Sequence, residues 1–293
     1  MRTRLAPTPS GFLHMGNVLS FVITKGLAEQ TNAGVLLRID DMDRERVQLP
    51  YVADIFETLT FLGLGWDEGP GNAVDFEAGY SQRLRLSRYE NALRHLVADG
   101  HVYACTCSRS DILKSSPDGI YTGTCRARHI PLHTEGVCWR LNTAGAGVVQ
   151  LRSLEETNAV AFPQDMNDFI VRKKDGYPAY QLTSIVDDID HGVDLVVRGA
   201  DLFHSTIAQL YLASLLPAGA FSAATFYHHR LITDTSGEKL SKSAGATSVH
   251  FLRNAGLSAA QIYQLVARSA GIDAAVSGWQ ELYGELGRLY LPM

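Results

Sequence analysis

The sequence predicts an α/β protein built on a Rossmann-type, doubly wound parallel sheet, and two observations support this. Short apolar runs alternate with amphipathic stretches of helical spacing along most of the 293 residues, which is the pattern of strands joined by crossover helices. Two motifs suited to binding phosphate also lie near opposite ends of the alternating region. Because ligands of such sheets bind beside the carboxyl ends of the strands, both motifs are expected at one crevice.

The elements follow from local signals along the chain. The first strand must end before Pro7 and Pro9, since proline cannot continue a hydrogen-bonded ladder. From Met15 onward, apolar residues recur at helical spacing, which predicts the first helix. The predicted strands are 2–6, 34–39, 137–142, 147–152, 168–172, 193–198 and 225–232. The predicted helices are 15–31, 51–63, 80–99, 177–190, 204–215 and 258–270.

Composition is typical of a globular enzyme. The chain is 46% hydrophobic with a net charge of −5, which favours a sizeable core and does not indicate a nucleic-acid binder. No apolar run of 18 residues occurs and the first motif begins almost at once, so we expect neither a membrane span nor a signal peptide, and a cytoplasmic location. Several arginines in one helical stretch, among them Arg88 and Arg94, are interpreted as a solvated face.

The first motif is Pro7-Thr8-Pro9-Ser10-Gly11-Phe12-Leu13-His14-Met15-Gly16-Asn17. It places His14 and Asn17 at a helix N-terminus, where backbone N–H groups and the helix dipole favour an anion. Gly16 would let a ligand approach the backbone closely. The alternative interpretation is that His14 only caps the helix.

The second motif is Lys239-Leu240-Ser241-Lys242-Ser243, which follows a segment of turn composition. Two ammonium groups three residues apart, on a loop flanked by Gly237 and Gly245, suit a polyphosphate whose charge changes during reaction. A solvated lysine turn is the alternative. The presence of both motifs in this order favours a nucleotide held from both ends.

Three of the four cysteines lie close together in the sequence and suggest a metal site. Cys105 and Cys107 are separated by one residue, and Cys125 follows. Thiolates are preferred ligands of zinc, and tetrahedral coordination needs a fourth donor. Chemistry alone nominates His129, four residues after Cys125. Three reduced core cysteines are the alternative, and Cys138, in an apparent strand, is interpreted as core packing.

The motifs resemble those of a known family. His14-Met15-Gly16-Asn17 resembles the HIGH signature of class I aminoacyl-tRNA synthetases, and the segment from Lys239 to Ser243 resembles their KMSKS loop. Segments 4–11, 37–43, 180–188 and 197–199 resemble the glutamyl branch of that class. The resemblance extends over roughly residues 2 to 268.

The resemblance implies that the chain forms glutamyl-adenylate from L-glutamate and ATP, with Mg²⁺ neutralising charge. His14 and Lys242 would be catalytic. The ATP-binding residues would be His14, Gly16, Asn17, Lys239, Ser241 and Lys242. The glutamate-binding residues would be Arg4, Ala6, Thr8, Asp40, Tyr180 and Arg198. Arginine suits the side-chain carboxylate because it forms bidentate bonds, and Asp40 suits the ammonium; a surface ion pair with Asp201 is the alternative for Arg198.

Two residues depart from the family pattern. Asp40 stands where the family usually has glutamate, so its contact to the substrate ammonium is expected to be longer or water-mediated. Ser184 stands where members that charge tRNA tend to have asparagine. These departures indicate divergence from such members without naming the substrate.

The cysteine segment and the length after the lysine loop imply a particular branch and acceptor. Cys105-x-Cys107 with Tyr121-x-x-x-Cys125 resembles the zinc site of glutamyl-queuosine tRNA(Asp) synthetases, which implies Tyr121 as fourth ligand and leaves His129 as the alternative. Only 50 residues follow Ser243, too few for an anticodon-binding domain. The acceptor expected from the resemblance is therefore queuosine in tRNA(Asp), bound by a monomer.

The expected organisation has four segments, and other functions stay open. Residues 1–100 and 166–243 would form the two halves of the catalytic core, 101–165 a zinc-binding insertion, and 244–293 a short helical tail. One alternative is a specialised glutamyl-tRNA synthetase that charges the 3′ end of tRNA(Glu). A small nucleotidyltransferase and a non-catalytic RNA-binding paralogue are the others.

Overall fold

The computed structural model describes residues 1–43, 45–217, 219–232 and 248–290. The chain forms two compact units. The first comprises Met1–Leu84, Val193–Asp201 and Phe226–Met293, and the second comprises Arg85–Gly192 and Leu202–Thr225. The segment from Lys239 to Ser243, with its three predicted site residues, lies outside the described residues.

The elements alternate between strands and helices. The strands are β1 (Arg2–Leu5), β2 (Gly34–Leu37), β3 (Val102–Cys105), β4 (Cys138–Leu141), β5 (Val148–Ser153), β6 (Thr157–Ala161), β7 (Ile170–Arg172), β8 (Leu195–Gly199) and β9 (Thr225–His229). The helices are α1 (Met15–Thr31), α2 (Leu49–Leu62), α3 (Ala73–Asp75), α4 (Leu86–Ala98), α5 (Arg109–Ser115), α6 (Tyr180–Asp190), α7 (Phe203–Ser214), α8 (Val249–Asn254), α9 (Ala259–Ser269) and α10 (Trp279–Tyr290).

Parallel strands at the centre of the first unit confirm part of the predicted architecture. β1 pairs with β2 in parallel, and the pairing continues past the strands because the Asp40 N–H donates to the Pro7 carbonyl at 2.9 Å. β8 runs beside β1, where the Asp194 N–H donates to the Arg2 carbonyl at 3.0 Å, and β9 is the neighbour of β8. The carboxyl ends of β1, β2 and β8 therefore lie together.

Helices α1 and α10 pack closely in the first unit. A Cβ atom at Gly26 would lie 2.2 Å from the Tyr283 ring, so only glycine admits that ring. Helix α1 has the predicted bounds, and its end is marked by Asn32 in the left-handed conformation with φ of 51°. Helix α10 was not predicted.

The helix predicted at 80–99 is wrong in its first turn. A π-helical turn (Phe76–Tyr80) and a 3₁₀ turn (Gln82–Arg85) precede α4, which begins only at Leu86. The Ser81 hydroxyl and the Gln82 N–H both donate to the buried Asp41 carboxylate, at 2.5 and 2.7 Å. These bonds hold the backbone at Ser81 in an extended conformation that no α-helix allows.

Antiparallel strands form the sheets of the second unit. β3, β4 and β7 make one sheet, in which Cys105 lies opposite Cys138, and β5 pairs with β6. Asp168, fully buried at a φ of 44° just before β7, accepts hydrogen bonds from Tyr103, Arg126 and Thr143. Burial opposes its charge, but these bonds together lower the pKa of Asp168. They fix the segment after Cys125 against the sheet.

A second buried carboxylate joins α4 to α6. Asp187 accepts from the Tyr89 hydroxyl at 2.9 Å and from Arg85 Nε at 2.8 Å. Burial and the nearby Asp187 charge raise the pKa of Tyr89, so its hydroxyl remains a donor. Asp187 therefore has a structural role within the second unit.

Candidate active site and metal centre

His14 caps helix α1 through a reciprocal pair of hydrogen bonds. The Gly16 N–H donates to His14 Nδ1 at 3.1 Å, and the His14 N–H donates to Asn17 Oδ1 at 3.0 Å. The capping role considered for His14 is thus confirmed. It also defines the tautomer, because a neutral ring that accepts at Nδ1 carries its proton at Nε2 and can donate from there.

Gly16 lies close to the imidazole ring of His14. A Cβ atom at this position would lie 3.0 Å from both Nδ1 and Cε1 of the His14 ring. A side chain at this position would require the imidazole to move by a few tenths of an ångström. Contact with His14 is therefore one physical reason for glycine here, and close approach of a ligand at Gly16 stays a prediction.

The chain returns to the start of α1 directly after the lysine-rich segment. Ser248 forms a β-bridge with His14, and the Val249 N–H donates to the Leu13 carbonyl at 2.8 Å. The His250 ring stacks on Phe12 at 4.0 Å between ring centroids. These contacts fix α8, and with it the first described residue after the lysine motif, at the proposed nucleotide-binding turn.

Two arginines predicted to bind a carboxylate lie on neighbouring strands. Arg4 is 5% exposed, and its Nη1 donates to the carbonyl of Val197 at 3.2 Å. The next residue, Arg198, is 4% exposed, which excludes the surface position considered for it. Its guanidinium carbon lies 5.9 Å from the centroid of the Phe226 ring on β9. The two buried cations therefore share one end of the sheet.

His228 also lies in this region, although it was not among the site residues predicted from the sequence. Its ring stacks nearly parallel to Phe226 at a centroid distance of 6.3 Å. Burial, and after it the charge of Arg198, lower the pKa of His228 to about 4. The imidazole is therefore neutral at pH 7. The alternation Phe226-x-His228 on a strand was the available signal, since residues two apart share a face.

Asp40 is already engaged by a neighbouring side chain. Arg38 Nε donates to Asp40 Oδ1 at 2.7 Å, and Arg38 Nη2 donates to Oδ2 at 3.2 Å. Both residues are buried, so the pair is only weakly screened by solvent. Arg38 was not among the predicted site residues, although its spacing from Asp40 places both on one face. An ammonium ligand of Asp40 would have to share the carboxylate with Arg38.

The other predicted site residues do not all belong to one unit. Ala6 and Thr8 are half-buried in the turn after β1, and the Thr8 carbonyl accepts from the Ser10 N–H at 2.8 Å. Tyr180 belongs to the second unit, where it begins α6 and is 41% exposed. Lys239, Ser241 and Lys242 lie outside the described residues.

The three clustered cysteines come together in the second unit. The sulfur atoms of Cys105, Cys107 and Cys125 all lie within 4.8 Å of one another, and those of Cys107 and Cys125 are 3.5 Å apart. Tetrahedral zinc with Zn–S bonds of about 2.3 Å would hold its sulfurs roughly 3.8 Å apart. The donor set and the spacing therefore fit a metal of this type.

Tyr121, and not His129, lies against the cysteines. Its phenol oxygen is 3.4 Å from the Cys105 sulfur and accepts from the Cys125 N–H at 2.8 Å. His129 is exposed, at a φ of 51°, and within the described ranges it does not join the group of possible metal ligands. Arg140, also buried, lies with its guanidinium carbon 3.7 Å from the centre of the Tyr121 ring.

Neighbouring groups favour a thiolate within this cluster. Hydrogen bonding by Cys138, supported by Tyr121 and Arg140, lowers the pKa of Cys105 to about 3. Burial and the adjacent Cys125 raise the pKa of Cys107 to about 12. The structure describes all four cysteines, and none of them forms a disulfide. A cation bound here would find one ligand already ionised and would displace protons from the others.

Comparison with known proteins decides the family. Residues 1–278 match the family model described as tRNA synthetases class I (E and Q), catalytic domain. The chain belongs to this family. The class I tRNA synthetase fold predicted from the sequence is thereby confirmed.

The relatives of this class I tRNA synthetase fall into two groups by their names. A "Glutamyl-Q tRNA(Asp) synthetase" of Nitratidesulfovibrio vulgaris is 37% identical over 292 residues, covering 93% of this chain and 87% of the relative. One of Methylococcus capsulatus is 37% identical over 85% of this chain and 78% of the relative. A "Glutamate--tRNA ligase 1" of Nitrosococcus oceani is 33% identical over 87% of this chain, which spans 54% of that relative.

Solved structures agree on the class I fold. A glutamate-tRNA synthetase from Elizabethkingia anophelis superposes with a TM-score of 0.75 at 21% identity, covering 97% of this chain and 65% of that one. The likeness concerns the fold alone. Within the described part of this class I tRNA synthetase, no helix combines the length and hydropathy needed to cross a membrane.

Proposed function

We propose that this protein activates L-glutamate with ATP and transfers it to queuosine in tRNA(Asp). The observation that carries the proposal is the 37% identity over 292 residues to a relative with the name Glutamyl-Q tRNA(Asp) synthetase, because the match covers most of both chains. The buried arginines at one end of the sheet and the capped helix α1 support the first half of the reaction.

The first step is formation of glutamyl-adenylate. The α-carboxylate of glutamate attacks the α-phosphorus of ATP, and pyrophosphate leaves. His14 donates from Nε2 to a phosphate oxygen, since its Nδ1 is occupied by the Gly16 N–H, and the N-terminus of α1 adds its dipole. Lys242 stabilises the transition-state charge, and Lys239 and Ser241 bind phosphates. Mg²⁺ bound together with ATP would neutralise part of the charge of the leaving pyrophosphate.

Glutamate is held by charge complementarity. Arg4 and Arg198 bind the side-chain carboxylate, and their burial strengthens the attraction by excluding water. Asp40 accepts from the α-ammonium while sharing its charge with Arg38, which limits its pull on the ammonium. Ala6 and Thr8 line the site, and Tyr180 supplies a hydroxyl.

Cys105, Cys107, Cys125 and Tyr121 would hold a structural Zn²⁺ in an insertion formed by residues 101–165. The metal would supply no chemistry to the reaction; it would balance the charge of buried thiolates and fix the segment between Cys107 and Cys125. The distances between the sulfurs support this assignment.

In the second step a hydroxyl of queuosine attacks the carbonyl carbon of the adenylate. An ester of glutamate forms, and AMP leaves with the electrons of the broken carbon–oxygen bond. The test is incubation with labelled glutamate, ATP and tRNA(Asp) that does or does not carry queuosine. We expect label only on the modified tRNA, and expect it to survive nuclease removal of the 3′-terminal nucleotides at an acidic pH that preserves the ester.

A second candidate follows from the relatives called glutamate–tRNA ligases, which are 32–36% identical to this chain. In that case, label would appear on tRNA(Glu) and would be lost with its 3′ end. Label on tRNA(Asp) without queuosine would contradict both assignments. Arg198→Lys is the matched variant for the amino-acid site: it keeps the charge and removes the planar fork, so we expect a raised KM for glutamate with ATP binding unchanged.

A further inference from the structure

The second unit contains a cleft between α4, β4 and the segment that follows β7. It has a volume of about 390 Å³, within the range of small-molecule sites. One wall is the α4 segment with Glu90 and Leu93, and the other includes Trp139, Arg172 and Gly176 from β4 and the turn after β7. Apolar faces and both signs of charge meet in one concave surface.

Trp139 and Arg172 lie against each other in this cleft. The guanidinium carbon of Arg172 lies 4.8 Å from the centre of the Trp139 ring. The indole N–H donates to the Leu132 carbonyl at 2.9 Å, which fixes the ring. At Gly176, where φ is 88°, a Cβ atom would lie 3.2 Å from Arg172 Nη2. The guanidinium is thus confined between an indole and a backbone that only glycine permits.

Two charged side chains of the cleft are available to form hydrogen bonds with a ligand. Throughout the described ranges, the guanidinium of Arg172 donates to no acceptor, and the carboxylate of Glu90 accepts from no donor. Both line the cleft. A fixed donor fork and a carboxylate beside a stacking surface form a recognition pattern that a single planar ligand can satisfy.

We infer that this cleft binds one unpaired nucleotide of RNA, with guanine as the base that fits its groups best. Guanine offers two acceptors, O6 and N7, to an arginine fork, and its N1–H and amino group can donate to a carboxylate. Stacking on the Trp139 ring beside Arg172 suits any base; the in-plane bonds to the Arg172 fork and the carboxylate add the preference for guanine. From the proposed function this inference takes only that the substrate is an RNA.

Fluorine NMR of protein containing 5-fluorotryptophan tests the inference, because the chain has three tryptophans. Trp139→Phe assigns the resonance, and Trp66 and Trp279 serve as internal references. Titration with the single-stranded tetranucleotide UGUU should shift the Trp139 resonance saturably, and UUUU should bind about tenfold more weakly. Neither ATP nor glutamate is present, so the result does not depend on glutamyl transfer.

Substitutions of Arg172 and Glu90 measure how much each side chain contributes to RNA binding. Arg172→Ala and Arg172→Lys should each weaken UGUU binding about tenfold, since lysine keeps the charge but loses the fork. Glu90→Gln should weaken binding of UGUU and leave that of UUUU unchanged. An unchanged unfolding temperature verifies that each variant folds.

Three results would overturn the inference. The first is a Trp139 resonance that does not respond to either RNA, and the second is an Arg172→Ala variant that binds UGUU as tightly as the parent protein. The third is binding of free GMP as tight as that of UGUU, which would assign the cleft to mononucleotides. Glutamate transfer to tRNA(Asp) could still be observed in each case, so the two proposals fail independently.

Discussion

The start of α1 in the first unit and the cysteine cluster in the second were both marked by short sequence motifs, yet they are held in different ways. His14 is fixed by bonds to Gly16 and Asn17, its neighbours in the chain. The cysteine sulfurs come from positions 18 residues apart and approach to 3.5 Å, although thiols form only weak hydrogen bonds. A local cap is stable without its ligand, whereas sulfur atoms gathered from separate positions would be held together more firmly by a bound cation.

Metal removal should have the largest effect if this difference is real. We expect one zinc per chain, and a chelator or Cys125→Ser should lower the unfolding temperature by on the order of 10 °C, since a tightly bound metal contributes about 4 kcal/mol. Metal content and calorimetric unfolding measure this. Cys138→Ala is the matched control, because Cys138 is equally buried and outside the group of three; it should retain zinc. A Cys125→Ser variant with full metal content would contradict the assignment.

Substitution of His14 separates its two roles. Asparagine is a good N-cap, so His14→Asn should preserve stability but reduce glutamate-dependent ATP–pyrophosphate exchange about 100-fold through loss of the Nε2 donor. His14→Ala should lose exchange to the same extent and also about 1 kcal/mol of stability. Exchange and thermal unfolding are measured on both variants. Normal exchange in His14→Asn would mean that His14 only caps the helix.

The fourth position of the metal centre is tested by Tyr121→Phe against His129→Ala. Loss of a phenol oxygen next to Cys105 should weaken zinc binding roughly 10- to 100-fold, measured by competition with a chromogenic chelator. His129→Ala should bind zinc as the parent protein does, since His129 is exposed and apart from the sulfurs. The reverse order would make His129 the ligand.

The pH dependence of stability tests whether His228, beside Arg198 in the first unit, is neutral in the folded protein. The pKa of His228 is about 4 in the folded protein, against an ordinary value of 6.5, so between pH 4 and pH 6.5 the unfolded chain binds more protons. Stability should therefore be full above pH 6.5 and fall as the pH decreases to 4. His228→Gln should remove up to about 2 kcal/mol of this loss at pH 5, measured by denaturant unfolding. An identical pH profile in the variant would show that burial and the charge of Arg198 do not hold His228 neutral.

Elements with local signals were predicted well, and elements that depend on distant contacts were not. Helix α1 has its cap residues in the sequence, so its bounds were predicted correctly. The break before α4 was missed because it rests on Asp41, about forty residues from Ser81. Helix α10 was missed as well, since its position depends on Tyr283 packing over Gly26. In the site, Arg38 and His228 were missed although the spacing of two residues from Asp40 and Phe226 was visible.

The sequence by itself determined the family, the α/β class, the helix cap at His14 and the three cysteines, because motifs and periodicity are local properties of the chain. Tertiary structure alone decided that Arg38 binds Asp40 and that Arg198 is buried beside His228. It also places Tyr121, which the resemblance implied, against the sulfurs, whereas His129, which chemistry alone nominated, is exposed. Those outcomes depend on strand register and loop path, which set which of several chemically suitable side chains come within bonding distance.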